Sequence, residues 1–125
     1  MNIKISTKEK FSVITVTDTI LSANMTAEID NLTKFVLEPI PHVVLNLTAV
    51  KEIEKEACHK LAAVQQSFYD KDCSFVVCCL QPSVEAILEQ EELMEIMNIT
   101  PTESEAWDIL QMEEIERELL NDFDD

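Results

Sequence analysis

Hydrophobic positions along the chain fall into short unbroken blocks and longer stretches with an apolar side chain every three or four residues. Residues 43–47 (VVLNL) and 74–80 (SFVVCCL) are blocks of the first kind, and without alternation each reads as a strand covered on both faces. Between them Ala57, Leu61, Val64 and Phe68 share one face at helical spacing, which predicts a helix starting near Glu54. Strand, helix and strand in that order form a βαβ unit, so the two strands are expected to be parallel, with a right-handed crossover.

The flanking segments extend this pattern. Residues 2–6 (NIKIS) alternate weakly and suit an edge strand. Residues 11–17 (FSVITVT) form a β-branched strand with Phe11 and Val13 on one face and Ile14 and Val16 on the other. The polar turn at residues 7–10 makes the pair a plausible hairpin. Ser22 suits an N-cap for a helix with Met25, Ile29, Leu32 and Val36 as its stripe and Phe35 adding width. That helix is expected to stop before Pro39, with Pro39 and Pro41 bracketing the passage into the next strand.

After residues 69–72 (YDKD) and the second covered strand, Pro82 opens a third helix. Ser83 is its expected cap, and Val84, Ile87 and Leu88 face inward. Leu93, Met94, Ile96 and Met97 continue an apolar face towards a short last strand at residues 98–100. Thr102 and Glu105 have capping-box spacing. A final helix is expected from about Glu103 to Leu120, with Ala106, Ile109, Leu110 and Met112 as its apolar side and a frayed end at residues 121–125. The 125 residues fit one α/β domain, with no internal repeat and no linker.

Charge changes the picture of possible partners. Residues 1–71 carry eight basic and nine acidic side chains, whereas residues 72–125 carry one arginine and sixteen acids, together the net −16 of the chain. Such a field repels phosphate backbones and anionic membranes, which argues against nucleic-acid and lipid partners; it either attracts a basic protein surface or is a solvated acidic helix that keeps the protein soluble. The opening MNIKISTKEK has no apolar core run, and no stretch approaches the ~20 apolar residues of a membrane span. The expectation is a soluble, cytoplasmic protein.

The chain has no glycine, so phosphate-cradling glycine loops are excluded and tight turns fall to Asn, Asp and Pro. The four cysteines, Cys58, Cys73, Cys78 and Cys79, lack CxxC spacing and read as buried reduced thiols. Cys58 and His59 are adjacent, but neighbours on a helix point about 100° apart, and no second ligand pair accompanies them. No metal or other cofactor is implied.

The order β-β-α-β-α-β-α-(β)-α resembles the STAS domain family, which includes bacterial anti-sigma factor antagonists. The similarity runs over roughly residues 3–112. It is carried by residues 18–32, by Val43 to Leu47 with Val50 and Ile53, by residues 74–80 followed by Pro82, Val84 and Leu88, and by TESEAWDIL at residues 102–110. The resemblance implies a mixed, mostly parallel sheet of four to five strands with about four helices. It also implies a STAS-like domain over residues 1–112, with residues 113–125 as an acidic helical extension and tail of the same domain.

The family's functional motif is Asp-Ser-Ser-Gly at the start of the second helix, and in anti-sigma factor antagonists its second serine is phosphorylated by a partner kinase. Aligned after Ile53, the motif falls on Glu54, Lys55, Glu56 and Ala57, so Glu56 stands where the phosphoserine would be and neither serine remains. Phosphoserine carries about −1.5 to −2 charge, and Glu56 supplies a permanent negative charge at a helix N-terminus, which favours it. Glutamate in a first helical turn is also ordinary helix chemistry, and Glu56 with Lys60 makes a favourable i,i+4 pair.

Three functional classes follow. The first is a non-catalytic, regulatory interaction module that meets a protein partner, a kinase-like anti-sigma protein or another regulator, through Glu54, Lys55, Glu56, Ala57, Cys58 and Lys60. The second is a small-molecule sensor or small enzyme using Cys58 or the paired carboxylates, which would need a cleft and shifted pKa values. The third is an assembly subunit docking through its acidic final helix.

Overall fold

In the computed structural model the elements follow in the order β1 (Ile3–Thr7), β2 (Phe11–Val16), β3 (Ile20–Leu21), α1 (Ala23–Phe35), β4 (His42–Asn46), β5 (Glu52–Ile53), α2 (Lys55–Asp70), β6 (Phe75–Cys78), α3 (Pro82–Gln90), β7 (Ile99–Thr100) and α4 (Glu103–Phe123). The structure describes residues 2–8, 10–35 and 42–123, and the side chains of these apart from residues 32–35 and 121–123. The expected stripe positions Leu32, Phe35 and Val36, the stop before Pro39, the passage between Pro39 and Pro41, and the last two residues lie outside that description.

The main sheet has the order β1-β2-β4-β6-β7. Only β1 and β2 are antiparallel, and the remaining pairs are parallel, with Val43 opposite Phe75 and Leu45 opposite Val77. The hairpin and the parallel strands are those expected from the sequence. A second ribbon, β3 paired in parallel with β5, was not expected. Its strands are two residues long, too short for any periodicity to register.

The two covered strands explain the layering. Val43 and Leu45 of β4 and Phe75 and Val77 of β6 point into a core that also takes Ile29, Ala57, Leu61, Val64, Val84 and Leu88 from α1, α2 and α3. Val44, Val76 and Cys78 point the other way and meet Ala106 and Leu110 of α4, with Ile109 partly buried beside them. Among the described residues, three helices therefore cover one face of the sheet and α4 alone covers the other.

Several expected details are corrected. Ser83 does not cap α3: Gln81 is the N-cap and Pro82 sits at the first helical position, where its missing N–H is harmless. The Ser83 hydroxyl instead donates to the Lys51 carbonyl at 2.6 Å. Ile96 and Met112 are exposed, because the chain leaves α3 in turns before Ile96 and α4 turns Met112 away from the sheet. The final helix continues to Phe123, past the expected end at Leu120. Cys58 and Cys78 are buried, whereas Cys73 and Cys79 are only partly so, and all four are free thiols.

The second half of α4 is anchored by a polar cluster at the start of the parallel strands. The Tyr69 hydroxyl donates to Glu113 Oε2, and Asn98 Nδ2 donates to that carboxylate and to the Tyr69 hydroxyl. The Arg117 guanidinium lies 5.8 Å from the centre of the Tyr69 ring and donates to Ser74 Oγ at 2.9 Å. The Ser74 amide in turn donates to His42 Nδ1 at 3.0 Å.

Without glycine, the chain places Asp72, Cys79 and Glu92 at positive φ, so tight turns are not confined to Asn, Asp and Pro. Asp72 and Glu92 follow α2 and α3. At each, an amide bonds back five residues (Cys73 to Phe68, Leu93 to Leu88) and another three (Asp72 to Tyr69, Glu92 to Glu89), the pattern that usually recruits glycine. A Cβ in this conformation costs about 1 kcal/mol. Glu92→Gly should therefore raise stability by about 0.5–1 kcal/mol, read as a higher urea midpoint with an unchanged slope. An unchanged or lower midpoint would count against a strained turn.

Burial first, and Arg117 second, lower the pKa of His42 below its ordinary 6.5. The folded chain then binds fewer protons than the unfolded chain below that pH. Stability from this source is intact above about pH 6.5 and drains as the pH falls towards the folded value. His42→Gln should lose less stability than the parent between about pH 7.5 and 5.5 in urea titrations. Equal losses would exclude His42 as the cause.

Candidate functional site

The turn into α2 lies at the end of the sheet where the parallel strands finish, and several elements hold it there. Asn46, closing β4, accepts from the Thr48 amide at 2.9 Å and from its hydroxyl at 2.6 Å, and donates to Glu103 Oε1 of α4 at 2.6 Å. Gln81 Nε2, just before α3, donates to the Thr48 carbonyl at 2.7 Å. With the Ser83–Lys51 bond and the β3–β5 ribbon, the connector from β4 to α2 is pinned from three sides.

Glu54 is the N-cap of α2 in extended conformation, yet its side chain does not cap its own helix. Its Oε1 instead accepts from the amide of Ala23, the first residue of α1, at 2.9 Å. The Glu54 amide donates to the Leu21 carbonyl at 3.1 Å. Ser22 caps α1 as expected, its hydroxyl accepting from Met25 at 3.3 Å. One carboxylate thus lies between two helix N-termini, where both macrodipoles favour negative charge. The first turns of α3 and α4 reach the same loop through Ser83 and Glu103, so all four helices present their N-terminal ends to this region.

The residues expected to meet a partner separate into two sets. Glu54, Lys55 and Glu56 are exposed, and Lys60 is half-buried. Ala57 and Cys58 are 0% exposed in the core, which removes them from any docking surface. They lie on the inward face of α2, the same face as Leu61 and Val64. Glu56 and Lys60 form no ion pair among the described residues. Lys60 lines a shallow groove of about 320 Å³ between α1 and α2 with Thr26, Asp30 and Ser67.

The alternative chemistry loses its parts. Burial, and then the Glu91 carboxylate, push the Cys58 thiol up to about 11, so it stays protonated at neutral pH and is a poor nucleophile. His59 faces Glu91, its Nε2 at 2.9 Å from Oε1, and lies on the outer surface of α2 away from Cys58. No cluster of His, Cys, Asp or Glu among the described residues could hold a metal ion. Among the described residues no helix is long and apolar enough to cross a membrane.

Residues 2–106 match the family model of the STAS domain, and the chain belongs to that family. No curated protein sequence matches it. Solved structures similar to it include an assigned anti-sigma factor antagonist of Thermotoga maritima, 17% identical, TM-score 0.71, covering 87% of this chain and 94% of that one. Another is a serine-to-glutamate variant of RsbS from Moorella thermoacetica, 15% identical, TM-score 0.71, covering 89% and 96%. A third is the Bacillus cell fate determinant SpoIIAA in its phosphorylated form, 12% identical, TM-score 0.62, covering 86% and 97%. At these identities the likeness establishes the fold.

What the sequence did not disclose is the role of Glu54 as a brace between helices. Its partner is a backbone amide 31 residues away, and no side-chain pattern announces it. Glu54→Ala should lower stability by about 1 kcal/mol in urea unfolding, because the Ala23 amide loses its acceptor, whereas Glu56→Ala should change it by under about 0.5 kcal/mol. Equal effects of the two substitutions would exclude the brace.

Proposed function

We propose that the chain is a non-catalytic regulatory module that docks a protein partner, a kinase-like anti-sigma protein or a related regulator, through the exposed N-terminal turn of α2. The observation that carries this reading is the division of labour at that turn. Glu54 is committed to holding α1 and α2 together, while Lys55 and Glu56 project from a braced, solvent-facing helix start. A rigid, charged helix end suits recognition, since little side-chain and loop ordering is needed on binding.

Glu56 stands at the position of the phosphorylated serine that the family resemblance implies, and its charge is permanent. The turn is thus held in a state similar to a phosphorylated one and no longer switches.

The test starts from a partner captured by affinity purification from the source cell. Glu56→Lys, which leaves the Glu54 brace in place, should weaken its binding at least about tenfold. Undiminished binding would move the interface elsewhere. Glu56→Ser should restore a site that a kinase of the partner class phosphorylates in vitro, with a change in partner affinity. Neither phosphate incorporation nor an affinity change would remove the locked-switch reading.

A further inference from the structure

The outer face of α4 carries Met112, Ile115 and Leu119, which are 57%, 56% and 53% exposed. Their spacing of three and four residues makes them one stripe. It lies on the far side of the helix from Ala106, Leu110, Glu113 and Arg117, which face the sheet and the polar cluster. Single exposed apolar side chains are ordinary, whereas a row at helical spacing on a strongly acidic helix is the pattern of a contact face. The residues matching the STAS family model end at 106, before the stripe begins.

Charge identifies what fits it. Asp108 continues the stripe one turn towards the N-terminus, and Glu116 borders it. Arg117 is the only basic residue of α4, and it is spent inward on Ser74 and Tyr69. A second copy of this face would set Asp108 and Glu116 against like charges in either orientation, and an anionic membrane surface would be repelled. A helix with apolar residues every three or four positions and lysine or arginine at their margins matches both the stripe and its rim.

We propose that the Met112–Ile115–Leu119 face of α4 is a second docking surface, and that its occupant is a basic amphipathic helix of a partner protein. The surface is separate from the turn at Glu56 and does not depend on that turn's function.

The probe is a synthetic helical peptide of leucine and lysine, titrated against the full chain, with the leucine–glutamate counterpart as control. The lysine peptide alone should bind, and more weakly as salt rises. Its affinity should fall at least about tenfold in the Met112→Ser, Ile115→Ser, Leu119→Ser triple variant, whose net charge is unchanged. Equal affinity for parent and variant would reduce the binding to bulk charge and overturn the proposal. A photoreactive group on the peptide provides a readout on the unaltered chain: adducts within residues 108–120 support the surface, and adducts elsewhere overturn it. Sedimentation of the chain alone closes the remaining route. A monomer agrees with the proposal, and a dimer that the triple variant dissolves would make a second copy the occupant and overturn it.

Discussion

The structure depends on two parallel strands, β4 and β6, that are apolar on both faces and therefore have to be covered on both. Alternate side chains of each strand feed separate cores, and neither core can be left open to water at ~25 cal/mol per Å² of apolar surface. Among the described residues three helices serve one face, while α4 serves the other alone. This asymmetry leaves the opposite side of α4 exposed. The polar cluster of Tyr69, Asn98, Glu113 and Arg117 holds the helix beyond the point where the sheet can grip it.

The same covering requirement brings the helix starts together. Strands that run parallel end on one side, and each of α1 to α4 begins where the chain has just left a strand on that side. Four N-terminal ends with their partial positive charges gather around the loop from β4 to α2. The acidic residues there, Glu54, Glu56 and Glu103, complement that field. Glu54 turns this electrostatic fit into mechanical support by reaching Ala23, and the exposed charge at the start of α2 is carried by Lys55 and Glu56.

Much of the fold was legible because it rests on local pattern. The covered strands announced themselves as unbroken apolar runs, α2 as a stripe through Ala57, Leu61 and Val64, and the α4 start as the Thr102–Glu105 cap, whose bond is 3.1 Å long. The misplaced residues are those whose partners lie far along the chain. Ser83 looks like a cap in sequence, but the Lys51 carbonyl, 32 residues away, offers its hydroxyl a better acceptor. Cys58 looks like a candidate nucleophile beside His59 until the helix phase buries it and turns His59 towards Glu91. Met112 has the spacing of a core residue but lies on the outer face, because the sheet meets α4 along the line of Ala106 and Leu110.

By itself, the sequence determined the four helices, the strands of the main sheet, the parallel βαβ unit and the acidic second half. These follow from periodicity, composition and residue identity, which act over a few residues at a time. The tertiary structure alone decided that Glu54 bridges two helices, that Ala57 and Cys58 are core, and that Met112, Ile115 and Leu119 face solvent. Each of these depends on which segments distant in the chain are brought within about 3–4 Å of one another, the range over which hydrogen bonds and packing act.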